Sequence, residues 1–328
     1  MIVSTIKPKP NELLYRKLGL KEYYDNRNKI LILRDTGGLG DILMHRMMFE
    51  DFHLLMPDCE IHFACPTIYH DAVKDHPYIS KVLDSKTVKR QDYVISYNTT
   101  SACGRYESRK GIDSDLNRSD IWAGHCGVKL TKHNMHIKLA KQELEIADSY
   151  IKQHNPDNKE VIIICPISAM SSKNLDEQQL DGLIKNLSDY CIIGLHHAGI
   201  PYFEANNIPC ISGVSIRIWM SILHQANWVI SADSAAFHCR GGMQKPILGI
   251  YTWASGQMYG MYYNNKVIIQ GPCPLYSNGC YNWNSCPVSK KFKKPCLTEI
   301  TSEMILQGLS NVFINNGKVL CTNSNCGK

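Results

Sequence analysis

The most specific polar segment of the sequence is built from Asp233, Ser234 and His238. Asp233 and Ser234 directly follow the apolar run Trp228–Ala232, and the pattern predicts a helix that begins there. Free backbone N–H groups and the dipole at the start of a helix bind anions, and a serine hydroxyl adds a hydrogen bond. His238 lies one helical turn further on, near the same end. The segment predicts a phosphate site; a capping pair with a packed histidine is the alternative.

A second polar loop follows the apolar run Val161–Cys165 and contains Ser168 and Lys173. Hydroxyl groups and a lysine placed after a buried strand can hold a phosphate, with the lysine acting as a point charge. The alternative is a solvated loop with a surface lysine, which is where most lysines lie.

A glycine-rich segment, Thr36-Gly-Gly-Leu-Gly-Asp41, follows the apolar run Lys29–Arg34. The dinucleotide fingerprint requires glycine where this chain has Leu43, and the Gly-Lys-Ser/Thr of a nucleoside-triphosphate loop is missing. Gly40 lets the backbone approach a ligand closely. What remains for chemistry is Asp41, held at a helix start in the cleft between two domains. Spacing alone slightly favours a simpler role for Asp41, that of capping the helix.

Strand-like and helix-like runs alternate twice along the chain, which predicts an α/β fold with two parallel sheets. The turn cluster Asn155–Asn158 is the predicted boundary between a domain at 1–155 and a domain at 156–328. The predicted strands are Lys29–Arg34, Ile61–Cys65, Tyr93–Tyr97, Val161–Cys165, Tyr190–Leu195, Trp228–Ala232 and Ile247–Tyr251. The predicted helices are Ile42–Met56, Ile68–Lys74, Ser114–Gly127, Lys141–His154, Asp176–Leu187, Ser215–Ala226, Ser234–Gly242 and Thr301–Phe313.

The composition is that of a globular protein with 44% hydrophobic and 20% charged residues. Its net charge of +6 suits ligands that carry phosphate but is small for a dedicated nucleic-acid binder. No apolar run approaches the roughly 18 residues needed to span a bilayer. Met1–Pro10 lacks the apolar core of a secretory signal, so we expect a cytoplasmic location.

In this order and separation, the three polar segments resemble glycosyltransferase family 9, the lipopolysaccharide heptosyltransferases. The family signature, Asp-Ser/Thr-Gly-x-x-His followed by Lys-Pro, is similar to Asp233–His238 with Lys245-Pro246. The resemblance covers roughly residues 29 to 310. This chain departs from the family pattern at Ala235, at Cys239–Gly242 and at Tyr251–Ser255, where the family has glycine, small apolar residues and a phosphate loop.

The resemblance implies a GT-B fold, in which two Rossmann-like domains face a central cleft, and an inverting transfer without a catalytic metal. By that resemblance Asp41 is the general base for the acceptor hydroxyl, and Asp233 caps its helix and shapes the loop. The sugar donor is a nucleotide sugar similar to ADP-heptose, and the acceptor is a saccharide, glycolipid or other hydroxyl compound. The residues expected at the nucleotide sugar and its phosphates are Gly40, Ser168, Lys173, Asp233, Ser234, His238 and Thr252.

The chain contains 14 cysteines, and a Pro- and Lys-rich loop at 271–296 holds Cys273, Cys280, Cys286 and Cys296. Without a secretion signal a disulfide framework is disfavoured and metal binding gains weight. Some members of the resembled family carry a late cysteine cluster that holds a metal. Four thiolates suit structural zinc or iron, while four free thiols in a loop are the alternative.

Two further functions stay open from the sequence. One is a transferase that glycosylates modified bases in DNA, which the basic run Lys290–Lys294 permits, although nucleic acid is not the favoured partner. The other is a non-catalytic module that binds a nucleotide or nucleotide sugar. Binding by such a module would survive the loss of the Asp41 carboxylate.

Overall fold

The computed structural model describes residues 28–276, 279–281, 286, 288 and 295–320. The first half contains a parallel sheet of β1 (Lys29–Leu33), β2 (Glu60–Cys65), β3 (Lys81–Asp84) and β4 (Ile95–Asn98). The order of the strands is β3-β2-β1-β4. The helices of this half are α1 (Leu39–His45), α2 (Phe49–Leu55), α3 (Ala102–Lys110), α4 (Arg118–His125) and α5 (Lys141–His154), with 3₁₀ turns at Arg46–Met48, Thr67–Ala72, Arg90–Asp92 and Gly111–Asp113.

The second half contains a parallel sheet of β5 (Val161–Cys165), β6 (Cys191–Leu195), β7 (Cys210–Ile211), β8 (Trp228–Ala232), β9 (Ile247–Tyr251) and β10 (Lys266–Gln270). The order is β10-β9-β8-β5-β6-β7. Its helices are α6 (Glu177–Asn186), α7 (Pro201–Ala205), α8 (Ile216–Gln225), α9 (Ala235–Gly242), α10 (Gly256–Tyr259), α11 (Pro295–Thr298) and α12 (Ser302–Asn315), with a 3₁₀ turn at Ser171–Lys173.

Strand composition explains both sheets. All residues of β5, β8 and β9 are buried, and β1 is buried from Ile30 to Leu33, as expected for parallel strands covered on both faces. In each sheet the order in which successive strands are added reverses beside the first strand, since β1 lies between β2 and β4 and β5 lies between β6 and β8. Ligands of such sheets bind outside the carboxyl ends of the strands at this reversal. The loops after β1, β4, β5 and β8 are therefore where the fold places a site.

The predicted α/β class with two parallel sheets is confirmed, with differences in some elements. Ile42–Met56 is two helices, because a 3₁₀ turn directs the Arg46 side chain into the core. Ile68–Lys74 is a 3₁₀ turn. The helix expected over Ser114–Gly127 begins later, because the Asn117 side chain accepts the N–H of the second helical residue and caps α4 there. The elements that were not predicted are strands β3, β7 and β10 and helices α3, α7, α10 and α11.

The connection between the two halves is held by Arg46, which is fully buried. Its guanidinium donates to both oxygens of Asp75, at 2.8 and 3.1 Å, and to the carbonyl oxygen of Ala72 at 2.7 Å. It also donates to the carbonyls of Met135 and His136, at 2.6 and 2.7 Å. A buried guanidinium requires such partners, so this cluster fixes the chain that leads into α5.

Helix α5 precedes the predicted boundary at residue 155, yet it packs against α8 of the second half. Arg217 of α8 reaches back to Glu143 of α5 at 2.7 Å and to Asp75 of the first half at 3.1 Å. The halves thus share one ion-pair cluster, and the division at 155 stays a prediction. Met1–Pro10 lies outside the described residues. No helix of the described part is long and apolar enough to cross a membrane.

The Arg46 cluster gives a prediction for stability. Arg46→Met removes the charge that Asp75 and three carbonyl groups share, and we expect a loss of about 3–5 kcal/mol of unfolding free energy. Denaturant unfolding followed by circular dichroism measures this loss. The matched control is Arg109→Met on the exposed surface of α3, which we expect to change stability by less than about 0.5 kcal/mol. Equal effects of the two changes would contradict the role given to Arg46.

Candidate active site

The two halves touch where α1 packs against α9. Gly40 permits this approach, since a Cβ atom there would lie 3.1 Å from Cδ2 of His238 and 3.5 Å from Cα of Ala235. The glycine segment after β1 and the polar segment after β8, which are almost 200 residues apart in sequence, therefore form one site. Gly40 acts in this site through its small size.

Asp41 occupies the first turn of α1, and its carboxylate lies between two arginines. Oδ2 accepts from Arg34 at 2.9 Å, and Oδ1 accepts from Arg118 at 2.9 Å. Burial alone would raise the pKa of Asp41, but the two guanidiniums, Arg118 first, outweigh it and lower the pKa to about 2. The residue that caps α1 is Gly38, and no side chain caps the helix, so Asp41 does not have the capping role. Asp41 is instead an ionised carboxylate paired with Arg34 and Arg118.

Arg118 is itself held by a second carboxylate. Its Nε and Nη2 donate to the two oxygens of Glu107, each at 2.8 Å, in the two-pronged geometry that suits a guanidinium. The hydroxyl of Tyr259 donates to the same Glu107 at 3.0 Å, and the Arg118 guanidinium lies 4.6 Å from the centre of the Tyr259 ring. Tyr259 belongs to α10 of the second half, so this chain of contacts crosses the cleft.

On the second half, Lys173 and Asp233 form an ion pair of 2.7 Å between Nζ and Oδ2. Lys173 ends the 3₁₀ turn after β5, and Asp233 directly follows β8, so the pair lies at the reversal point of the second sheet. Lys173 also lies 4.8 Å from the centre of the Trp253 ring. The expectation that Asp233 caps α9 was wrong: Ser234 is the cap, because its side chain accepts the N–H of Ala236.

His238 lies inside α9 and is buried beside Gly40. Its Nδ1 is 2.9 Å from the hydroxyl of Tyr263. Burial lowers its pKa to about 4, against the opposing influence of Asp233 and Asp41. The ring is therefore neutral at physiological pH and contributes a hydrogen-bonding group instead of a charge.

Two further predicted residues, Ser168 and Thr252, lie in the segments that follow β5 and β9. The Ser168 backbone N–H donates to Asn174 Oδ1 at 2.8 Å and shapes the loop that carries Lys173. Thr252 directly follows β9, the neighbour of β8, and its buried hydroxyl has no hydrogen-bond partner in the described structure. The hydroxyl of Tyr251, one residue earlier, is buried and unpartnered in the same way. Buried polar atoms of this kind mark a place for water or a ligand.

The four cysteines of the predicted metal site are among the described residues, and none of the four forms a disulfide bond there. Within the described part of the chain, no three or more His, Cys, Asp or Glu side chains come together as a metal-binding group. The bound zinc or iron ion therefore stays a prediction from the sequence.

The sequence did not reveal Arg34, Glu107, Arg118, Tyr259 or Tyr263. Arg34 had a local signal, because it ends the first apolar run next to the glycine segment. Arg118 had none, since 77 residues separate it from Asp41 and its approach depends on how α4 packs.

Solved structures share this architecture. The glycosyltransferase family 9 protein of Veillonella parvula aligns over 88% of this chain and 98% of its own, with a TM-score of 0.66 and 13% identity. ADP-heptose lipopolysaccharide heptosyltransferase II of E. coli aligns over 88% of this chain and 99% of its own, with a TM-score of 0.65 and 14% identity. The chain has the GT-B fold. The sequence itself matches no protein-family model and no curated protein.

A third similar structure is TibC, an iron-containing dodecameric glycosyltransferase of enterotoxigenic E. coli. It aligns over 89% of this chain and 77% of its own, with a TM-score of 0.64 and 14% identity. TibC has also been solved in complex with ADP-D-β-D-heptose. The resemblance to family 9 that the three motifs predicted is confirmed by these structures, which at this level of identity establish the fold.

The contact at Gly40 gives the second prediction. Gly40→Val forces Cβ and two methyl groups against His238 and Ala235, and we expect a loss of about 1–3 kcal/mol in thermal unfolding. The matched control is Gly104→Val in α3, because Gly104 also lies inside a helix and no atom lies within 4 Å of a Cβ atom there. Valine has a higher helix propensity than glycine, so any loss at Gly40 reports the contact with the other half. Equal stability of both variants would show that α1 and α9 do not press together there.

Proposed function

We propose that this chain is an inverting glycosyltransferase that moves a sugar from a nucleotide sugar to an acceptor hydroxyl. One observation carries the proposal. An ionised carboxylate of the first half, Asp41, meets the helix start of the second half, with Lys173, Ser234 and His238, across the cleft of a GT-B fold. A base on one side and an anion site on the other are the two groups that such a transfer requires.

Asp41 serves as the general base in this proposal. A carboxylate offers roughly four lone-pair positions, and the two arginines occupy one on each oxygen, which leaves room for an acceptor hydroxyl. The low pKa keeps the group ionised at neutral pH but makes it a weak base. Proton transfer is therefore best placed late in the reaction, when the attacking oxygen has already become acidic by bonding to the sugar.

The leaving nucleoside diphosphate gains negative charge as the sugar departs. The N–H groups at the start of α9, the Ser234 hydroxyl and the Lys173 ammonium lie together at the reversal point of the second sheet. Fixed donors and a cation at this point stabilise the charge that develops in the transition state. Lys173 is neutralised by Asp233 in the free protein, so a bound diphosphate competes with that carboxylate for the lysine.

We take a sugar donor similar to ADP-heptose as the first candidate, because two of the similar structures are named for it or contain it. The neutral His238 and the Thr252 hydroxyl are proposed to contact the phosphates or the ribose, and Gly40 and Ser168 to shape the binding loops. The acceptor is a saccharide, a glycolipid or another hydroxyl compound. A cytoplasmic location is part of the same proposal. No step uses a metal.

The proposal is tested by incubating the protein with ADP-heptose and common UDP- and GDP-sugars and measuring the nucleoside diphosphate released. We expect one donor to be cleaved, and Asp41→Asn to slow the release on the order of 10²–10⁴-fold because the base is lost. Asp58→Asn, at an exposed turn, is the matched control and keeps the full rate. Binding without release, equal in protein with and without the Asp41 carboxylate, would support a non-catalytic module instead.

Calorimetric titration with the nucleoside diphosphate distinguishes the roles of the two sides of the cleft. Lys173→Met is expected to weaken binding about tenfold or more, because a charge-assisted contact is lost, while Asp41→Asn leaves the affinity nearly unchanged. Lys141→Met, at the exposed start of α5, is the control for removing a lysine. A chain that binds none of the sugar donors or their diphosphates is not a transferase of this kind.

The pKa values predict the pH dependence of the rate. Asp41 must be ionised, and with a pKa of about 2 it stays so at every pH where the protein is assayed. His238, with a pKa of about 4, stays neutral over the same range. We therefore expect kcat/KM for the cleaved donor to show no acid limb from these groups between about pH 8 and about pH 5. A loss of rate with a midpoint near pH 6 would contradict this assignment of the base.

A further inference from the structure

Four side chains form an unbroken line from the second half of the protein to Asp41. Tyr259 donates to Glu107 at 3.0 Å, Glu107 holds Arg118 by two bonds of 2.8 Å, and Arg118 donates to Asp41 at 2.9 Å. Glu107 is 2% exposed and Arg118 is 11% exposed, so water does not compete strongly for these bonds.

The backbone reinforces this line at the same place. Asn117 caps α4 with its side-chain oxygen, and its amide nitrogen donates to the carbonyls of Met258 and Tyr259, at 2.7 and 3.1 Å. One residue thus sets the start of α4, which positions Arg118, and also binds the end of α10, which positions Tyr259. The orientation of Arg118 therefore depends on where the second half lies.

We propose that Glu107 and Arg118 are positioning residues for Asp41, and that Tyr259 makes their alignment depend on contact between the two halves. This inference rests on the proposed function and names how the base is oriented. A lone aspartate at a helix start can rotate about two side-chain bonds. Arg34 and Arg118, one on each oxygen, fix the plane of the carboxylate and leave the remaining lone pairs aimed in a defined direction.

Several charged or titratable groups on the elements around Asp41 interact with it electrostatically. They are Arg34 at the end of β1, His45 in α1, Tyr69 in a 3₁₀ turn, Cys103 in α3, Arg118 in α4 and His238 in α9. His45 stays neutral, because burial lowers its pKa to about 3. The two arginines are thus the charges that hold the pKa of Asp41 low, and removal of Arg118 is expected to raise it.

Tyr259→Phe tests the link across the cleft. It removes the hydroxyl that Glu107 accepts and keeps the ring beside Arg118. We expect kcat to fall about tenfold while the affinity for nucleoside diphosphate is unchanged, because one hydrogen bond to a charged group is lost. The matched control is Tyr262→Phe, which removes a similar hydroxyl bond across the halves, to Asp120 at 2.6 Å, in a pair separate from Asp41. Equal kcat values for the two variants would overturn the proposed link.

Arg118→Met tests the positioning itself. We expect kcat to fall on the order of 100-fold and an acid limb to enter the measurable pH range, whereas a merely structural role would leave the pH profile unmoved. Because this change leaves Glu107 buried without its partner, the double variant Glu107→Gln/Arg118→Met is measured beside it. Arg118→Lys keeps the charge, so we expect no acid limb in the measurable pH range, as in the wild type, but only part of the wild-type kcat.

A measurement that needs no turnover tests this inference independently of the proposed function. In protein labelled with ¹³C-aspartate, the Asp41 carboxyl signal is assigned by its loss in Asp41→Asn and titrated by NMR. We expect no titration above about pH 4 in the wild type and a higher midpoint in the Arg118 variants that lack the charge. An unchanged titration would overturn the inference. A wild-type protein that cleaves no sugar donor would overturn the proposed function, and the titration alone would then decide the coupling of Arg118 to Asp41.

Discussion

The close packing of α1 on α9 is the constraint on which the site depends. Two sheets that are each complete by themselves gain a common site only where the loops after their first strands meet, and Gly40 is the residue that allows them to meet. A larger side chain would separate Asp41 from His238 and from the helix start at Ser234. The Arg46 and Arg217 clusters hold the connection between the halves, so that α1 and α9 meet in one defined arrangement.

The polar residues that the sequence placed at the ends of strands have a common physical cause. A polar residue directly after a buried apolar strand must lie at the carboxyl edge of its sheet, whatever the rest of the fold does. Lys173 and Asp233 follow β5 and β8, which are neighbours in the second sheet, so their 2.7 Å ion pair results from strand order and loop length. The apolar runs themselves were unambiguous, because parallel strands buried on both faces carry almost no polar residues.

The residues that the sequence did not reveal depend on packing between elements. Arg118 and Glu107 lie on two short helices after β4, and nothing in the spacing of either helix indicates that it points at Asp41. The cap of α9 was assigned one residue too early, because Asp and Ser are both good caps and only the backbone geometry distinguishes them. Strand β10 was missed although it carries three consecutive β-branched residues, because it is a short edge strand with a polar residue at each end.

The electrostatics of the site reflect two opposing demands. A base is stronger when its pKa is higher, yet a buried carboxylate with a high pKa would be protonated part of the time and would lose its charge. Arg34 and Arg118 lower the pKa of Asp41 and so keep it ionised. Glu107 neutralises the charge of Arg118, so that two guanidiniums and two carboxylates lie together with no net charge. Such a neutral cluster tolerates burial, whereas Asp41 with Arg34 alone would leave Glu107 uncompensated. Orientation and permanent ionisation of the carboxylate are thus obtained at the expense of its basicity. This exchange suits a reaction in which the acceptor oxygen releases its proton after the bond to the sugar has begun to form.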